Sequence, residues 1–118
     1  MLGKMVTVLI DRPLGSAHPC DSKCIYPLNY GFVPGVLGGD GEEQDAYVMG
    51  ATEQISRFYG RVIAIIHRLN DNEDKWVVAP DGMHFTEDEI RHATHFMEQF
   101  FKSEITLWHE GSEAECRK

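Results

Sequence analysis

Two acidic turns carry the residues best suited to chemistry. The first, Asp40-Gly-Glu42-Glu43-Gln44-Asp45, places four carboxylates within six residues and has no Lys or Arg among them. The second, Asp71-Asn-Glu73-Asp74, runs directly into Lys75. In extended chain, residues two apart point the same way, so Asp40 and Glu42 can converge, and Asp45 can join them from the next strand. Hard cations such as Mg²⁺ take oxygen ligands, commonly a few carboxylates plus waters and substrate phosphates. Two such turns brought together would suit a multi-metal site for phosphoryl chemistry. Arg12, Tyr26, Tyr30 and Lys75 lie in or beside the irregular segments around them and could supply phosphate donors. The bland alternative is a pair of solvated acidic loops, with Lys75 in a surface salt bridge.

Other groupings are weaker. His18, Cys20 and Cys24 could be soft zinc ligands, but a structural zinc wants four and no second pair is near. His92 and His95, one helical turn apart, read as a helix flank. His67 reads as a hydrogen-bonded strand histidine, and Phe58 and Trp76 as core. No P-loop, G-x-G-x-x-G or Ser-His-Asp order is present.

The elements that must position these groups are short strands. Met5–Ile10 is β-branched-rich and predicts a strand; Asp11–Lys23, with two prolines and a glycine, predicts a loop. Ile25–Gly41 mixes aromatics with Pro and Gly, which suggests short, bent strands. Ala46–Met49 predicts a strand. Arg57–Leu69 holds a continuous apolar run, Val62–Ile66, as a central strand would. Residues 70–74 predict a turn, and Lys75–Ala79 the returning strand. Thr86-Glu-Asp-Glu89 then forms a capping box that opens a helix to about Lys102. Ile90, Ala93, Met97 and Phe101 form its apolar stripe, with Phe100 widening it. Residues 110–118 read as a flexible tail. The expected fold is mainly β, a small and mostly antiparallel barrel with one C-terminal helix on it.

Composition bounds the function. The 118 residues suit one domain, 1–118, with 42% hydrophobic and 25% charged residues. A net charge of −8 argues against a nucleic-acid or anionic-membrane surface. A small anion could still be held where local cations or metals reverse the field. No signal peptide or membrane span is visible. Three loosely spaced cysteines, Cys20, Cys24 and Cys116, suggest reduced thiols and a cytoplasmic protein.

The stretch YPLNYGFVPGVLGGDGEEQD, Tyr26–Asp45, resembles the signature of soluble family I inorganic pyrophosphatases, in which a YP-x-NYG-aromatic segment leads into a D-G-D-P-x-D metal loop. EDKWVVAP, Glu73–Pro80, VTVLIDRPLGS, Val6–Ser16, and HFMEQFFKSE, His95–Glu104, resemble further family segments in the same order. The resemblance implies an OB-like barrel, trimmed here, and Mg²⁺-dependent hydrolysis of diphosphate to two phosphates. It implies that Asp40, Glu42 and Asp45 are metal ligands, with Glu42 activating water, and that Asp71 and either Glu73 or Asp74 complete the set. Lys75, Tyr30 and Lys102 would contact phosphate, with Tyr26 beside them. Arg12 would bind phosphate, or else Asp11 takes the place of an active-site glutamate; the two alignments stay open. Glu42 and Glu73 stand where the family has aspartates, and Phe101 where it has a tyrosine. A hairpin before Tyr26 is missing, and His18 or Lys23 could substitute for its groups. The alternatives are a hydrolase for another small phosphoanhydride or phosphate ester, or a non-catalytic metal-phosphate module. The barrel face bared by the trimming makes a homo-oligomer plausible.

Overall fold

The computed structural model describes residues 2–18, 21–39, 41–69 and 73–109. The predicted tail at 110–118, and with it Cys116, lies outside them, as do Cys20, Asp40 and Asp71. Among the described residues, eight strands and one helix follow in order: β1 (Met5–Arg12), β2 (Ala17–His18), β3 (Asp21–Ile25), β4 (Asn29–Leu37), β5 (Glu43–Val48), β6 (Arg57–Arg68), β7 (Asp74–Ala79), α1 (Glu87–Glu98) and β8 (Ser103–Leu107).

The main sheet runs β1-β4-β5-β7-β6-β8, and β1 also pairs with β6. That pairing closes β1, β4, β5, β7 and β6 into a five-stranded barrel, with β8 outside the ring. The long β6 makes closure possible. Its first half, Arg57–Arg61, pairs with β1, and its later residues pair with β7 on one edge and β8 on the other. The pairs are antiparallel except β5 with β7, which is parallel.

Strand alternation sorts the side chains into two cores. Val6, Val8, Val33, Ala46, Val48, Val62 and Val78 come from all five strands and fill the barrel. Leu28, Tyr47, Met49, Ile63, Ala64, Ile66, Val77 and Ala79 face outward and pack under Ile90 of α1. This second face builds the site.

The capping box of α1 forms as the sequence predicts: Thr86 Oγ1 accepts from Glu89 N at 3.1 Å, and Glu89 Oε1 accepts from Thr86 N at 2.7 Å. The helix ends at Glu98, short of Lys102. The β-branched Ile105 and Thr106 find β6 as a partner instead, and β8 pairs along Ala64–Arg68, a strand the sequence reading did not anticipate. The apolar stripe is shifted accordingly. Ile90, Ala93 and Phe96 pack on the barrel, whereas Phe100 is 70% exposed beyond the helix end.

The predicted loop over Asp11–Lys23 is likewise corrected. β1 runs on to Arg12, and β2 and β3 pair with each other as a separate two-stranded sheet. Asn29 anchors this corner. Fully buried, it accepts from Leu14 N through Oδ1 and donates from Nδ2 to Glu53 O, each at 2.9 Å. Gly31 lets β1 lie close on β4, since a Cβ there would stand 1.9 Å from Leu9 O. Just beyond, the β1–β4 register shifts between Ile10 and Arg12. An irregularity of this kind re-aims strand side chains. It lets two consecutive residues, Asp11 and Arg12, border the same cleft.

Candidate active site

The cleft opens on the helix-covered face of the barrel, with a volume of about 310 Å³. It is bordered by the end of β1 (Asp11, Arg12), by Tyr26 and Tyr30, by Asp45 and Tyr47 of β5, by Lys75, and by Arg68 and Phe101. Period-two alternation explains the convergence. Asp45 and Tyr47 share a face of β5, and Lys75 shares one with Val77 on β7. Arg68 continues the phase of Ala64 and Ile66 on β6. Register does the rest, with Tyr30 opposite Tyr47 and Lys75 opposite Ile66.

Lys75 is the hub. Only 4% exposed, its Nζ contacts Asp45 Oδ2, lies 3.1 Å from Glu73 Oε1 and donates to Tyr30 Oη at 3.0 Å. The surface-salt-bridge reading of Lys75 is therefore corrected: this ammonium is buried between two carboxylates. Tyr30 is held protonated well beyond the usual tyrosine range, first by burial and then by the Asp45 charge.

Below Lys75 lies a second ion-pair layer. Arg68, also 4% exposed, donates from Nη1 to Glu73 Oε1 at 3.2 Å, from Nε to Glu98 Oε1 at 3.1 Å and from Nη2 to Glu98 Oε2 at 2.7 Å. Its guanidinium stacks 3.7 Å from the Phe101 ring centre. Tyr47 donates its hydroxyl to Glu98 Oε2 at 2.7 Å. Burial, then the Glu98 charge, raises the Tyr47 hydroxyl well above its ordinary value. Glu98 ends α1, where the helix macrodipole disfavours a negative charge, so the Arg68 fork and the Tyr47 hydroxyl are what make it tenable there. For Arg68, burial works to lower its pKa, but the hydrogen bond and charge of Glu98 outweigh this and raise it.

The aromatic floor is continuous. Tyr26, 3% exposed, packs its ring 5.1 Å from Phe96 and 5.7 Å from Tyr30, and Tyr30 lies 4.9 Å from Tyr47. Burial raises the Tyr26 hydroxyl, with the Arg12 charge opposing. Asp11 is raised as well, first by burial and with the Asp45 charge adding, while Arg12 works to lower it.

The structure thus brings together Arg12, Tyr26, Tyr30, Asp45, Glu73 and Lys75. Asp74 belongs to the other face of β7, where it pairs with His67, as expected of a hydrogen-bonded strand histidine. Of the two acidic residues before Lys75, Glu73 is the one that contacts it. Glu42 is exposed in the turn before β5 and does not border the cleft. Lys102 is exposed and borders a neighbouring cavity with Arg91 and His95, beyond Phe101. His92 and His95 lie exposed on the helix flank. Among the described residues, no three His, Cys, Asp or Glu side chains are grouped to hold a metal ion.

Three residues were missed by sequence reasoning: Arg68, Glu98 and Tyr47. A signal for Arg68 existed, because a charged residue in phase with the buried side of Ala64 and Ile66 needs a buried partner. For Glu98 the helical stripe carried it: it lies four residues after Thr94 and eight after Ile90, both buried.

A closed five-stranded β-barrel with one covering helix is an OB-like fold. The profile of the inorganic pyrophosphatase family matches residues 9–115, and the chain belongs to that family. Its reaction is the hydrolysis of diphosphate to two phosphates. Solved structures agree in fold. The inorganic pyrophosphatase from Ehrlichia chaffeensis superposes with a TM-score of 0.67 at 19% identity, covering 91% of this chain and 88% of its own. That from Neisseria gonorrhoeae gives 0.64 at 21% identity, covering 83% and 74%. That from Coxiella burnetii gives 0.64 at 17%, covering 92% and 88%. No curated protein sequence matches the chain significantly.

Proposed function

We propose that the cleft binds diphosphate together with Mg²⁺ and hydrolyses it with Lys75, Arg12 and Tyr30 as the phosphate-facing groups. The observation that carries this reading is Lys75 Nζ, buried and shared by Asp45, Glu73 and Tyr30 at the wall of the cleft. A buried cation with an adjacent hydroxyl is suited to a phosphoryl oxygen, and its carboxylate partners keep it aimed.

The donor set fits a hard cation. Asp45 and Glu73 offer carboxylate oxygens with side chains 31% and 23% exposed, and one or two carboxylates with substrate phosphates suffice for Mg²⁺. Asp45 and Glu73 would hold the ion, and Asp40, Glu42 and Asp71, which the family motif names, are the further candidates. Bound there, it would polarise a phosphoryl oxygen and lower the pKa of a coordinated water. The family motif puts Glu42 at the proton-accepting position, but its exposed side chain does not border the cleft, so that role rests on the motif alone. Arg12, which borders the cleft with a side chain 35% exposed, would meet the outer phosphate.

The test is phosphate release from diphosphate, from nucleotides and from a simple phosphate ester, each with Mg²⁺ and with chelator. Mg²⁺-dependent release from diphosphate alone is expected. Release from the ester in preference would move the reading to another phosphate substrate. Diphosphate binding without turnover would make the chain a metal-phosphate module.

A cytoplasmic setting and a homo-oligomer complete the proposal. No helix among the described residues is long and apolar enough to cross a membrane. Ile25 and Phe100 lie exposed along one cavity, in keeping with an apolar contact between copies. Light scattering on the purified chain tests that contact.

A further inference from the structure

The carboxylates of this site divide their allegiance. Glu73 Oε1 faces two protein cations at once, Lys75 Nζ at 3.1 Å and Arg68 Nη1 at 3.2 Å. Arg68 is fixed by the Glu98 fork and by Phe101, so it cannot swing away to release Glu73 without leaving Glu98 buried at a helix C-terminus. A divalent cation approaching Glu73 therefore meets a guanidinium already in place, at the distance of an ion pair. Like charges that close, away from bulk water, oppose each other.

We propose that Arg68 is a resident counter-cation and positioning residue of the cleft. It holds Glu73 beside Lys75, and it supplies from within the protein positive charge that a bound divalent cation would otherwise have to bring. The inference rests on the reading of the cleft as a metal-phosphate site and deepens it. The chain Tyr47–Glu98–Arg68–Glu73–Lys75 then ties the end of α1 to the phosphate-facing lysine through contacts of 2.7, 3.1, 3.2 and 3.1 Å. Two consequences follow. The site should take up fewer or weaker divalent cations than its acidic content suggests. Removing the guanidinium should free Glu73 for metal while loosening Lys75.

The decisive experiment separates these effects from folding. Arg68→Gln alone strands Glu98, so the comparison uses Arg68→Gln/Glu98→Gln against Glu98→Gln, both verified as folded by circular dichroism and thermal melting. In each, a glutamine can still accept from Tyr47. The first readout is Mn²⁺ and Mg²⁺ affinity by calorimetry without substrate. The double variant should bind more tightly than Glu98→Gln, on the order of ten-fold or more, as removal of one unit charge near ~4 Å implies. Equal or weaker affinity overturns the proposal, as does failure of both to bind any divalent cation. The second readout is the KM for diphosphate at saturating Mg²⁺, which should rise in the double variant as Lys75 loses its aim, and an unchanged KM overturns the positioning role. Arg68→Lys, which restores charge without the planar fork, should return metal affinity toward wild type while leaving KM raised. If wild-type protein released no phosphate from diphosphate, the functional reading would fall, yet the metal comparison would still decide the role of Arg68.

Discussion

Lys75 and Asp45 can be uncoupled from each other by mutation. Lys75→Met keeps most of the stem's volume but removes the ammonium from between Asp45, Glu73 and Tyr30. Breaking a buried pair typically costs about 3–5 kcal/mol, because a carboxylate is left without its partner. Asp45 and Glu73 have side chains 31% and 23% exposed toward the cleft, so water relieves part of that cost and the low end, about 3 kcal/mol, applies. For a domain of this size each kcal/mol is worth about 4 °C, so the melting temperature should fall by about 12 °C. Asp45→Asn removes one of Lys75's two carboxylates and should cost less, about 1–2 kcal/mol. In Lys75→Met/Asp45→Asn the carboxylate stranded by the first change is gone. The double variant should therefore be more stable than the sum of the singles predicts, by about 1.5 kcal/mol. Urea unfolding of the four proteins measures this directly. Additivity to within about 0.5 kcal/mol would mean that the two groups do not share a buried contact, and the argument for Lys75 as hub would fail. Turnover provides the functional arm: losing a cation aimed at developing phosphoryl charge should lower kcat by about 10²-fold.

The remaining predictions are simpler. Glu42→Gln should reduce turnover by about 10²–10⁴-fold at saturating Mg²⁺ if Glu42 takes the proton, and near-full turnover would assign that role to another group. Gly31→Ala, which puts a methyl into Leu9 O, should prevent β1 from closing the barrel; a stable, folded variant by circular dichroism would refute that close approach. Thr86→Ala should cost about 1 kcal/mol in urea unfolding, and a change below a few tenths would mean the capping box adds nothing. Tyr26, Tyr30 and Tyr47 all have raised hydroxyl pKa values, so they stay protonated in the native state after an unfolded chain would ionise them. The unfolded chain then binds fewer protons than the native one, so stability should fall as pH rises past about 10. Ultraviolet titration should show the three ionising only with unfolding, and one common wave near the usual value would contradict their burial.

The sequence made some parts of this architecture plain and hid others, for physical reasons. Hydrophobic runs are local signals, and β1, β6 and β7 lie close to where the pattern places them. The capping box is a four-residue signal and survives intact. The end of the helix was less legible. Phe100 and Phe101 continue an apolar pattern, but what stops α1 is the demand of β6's open edge for a partner, which no local window contains. The acidic turns were legible as charge and not as geometry. Asp45 and Glu73 converge because β5 and β7 are neighbours, whereas Asp74, one residue away, points to the opposite face. Glu98 continues the buried stripe of Ile90 and Thr94, but a carboxylate there has no local partner. Its burial depends on Arg68, which reaches it from thirty residues earlier in the chain.

An acidic chain that binds an anion must overcome its own field. With a net charge of −8, the protein repels diphosphate at long range, and the cleft can reverse that only locally. Arg12, Arg68 and Lys75 supply the local cations, but Arg68 and Lys75 are both committed to carboxylates. Commitment has a benefit as well as a cost. A lysine held by Asp45, Glu73 and Tyr30 loses little freedom when a phosphate arrives, so it need not be ordered at the moment of binding. What it gives up is net attraction, since each carboxylate cancels much of its field. A divalent cation arriving with the substrate would restore that attraction without adding side chains, with Asp45 and Glu73 the residues that would hold it. On the proposed reading, the acidic cleft and the phosphate ligand would come together as a three-part assembly with the ion. On this argument, diphosphate alone should bind weakly, and the divalent ion alone should bind through Asp45 and Glu73. Each should strengthen the other's binding by the same factor, as linkage requires.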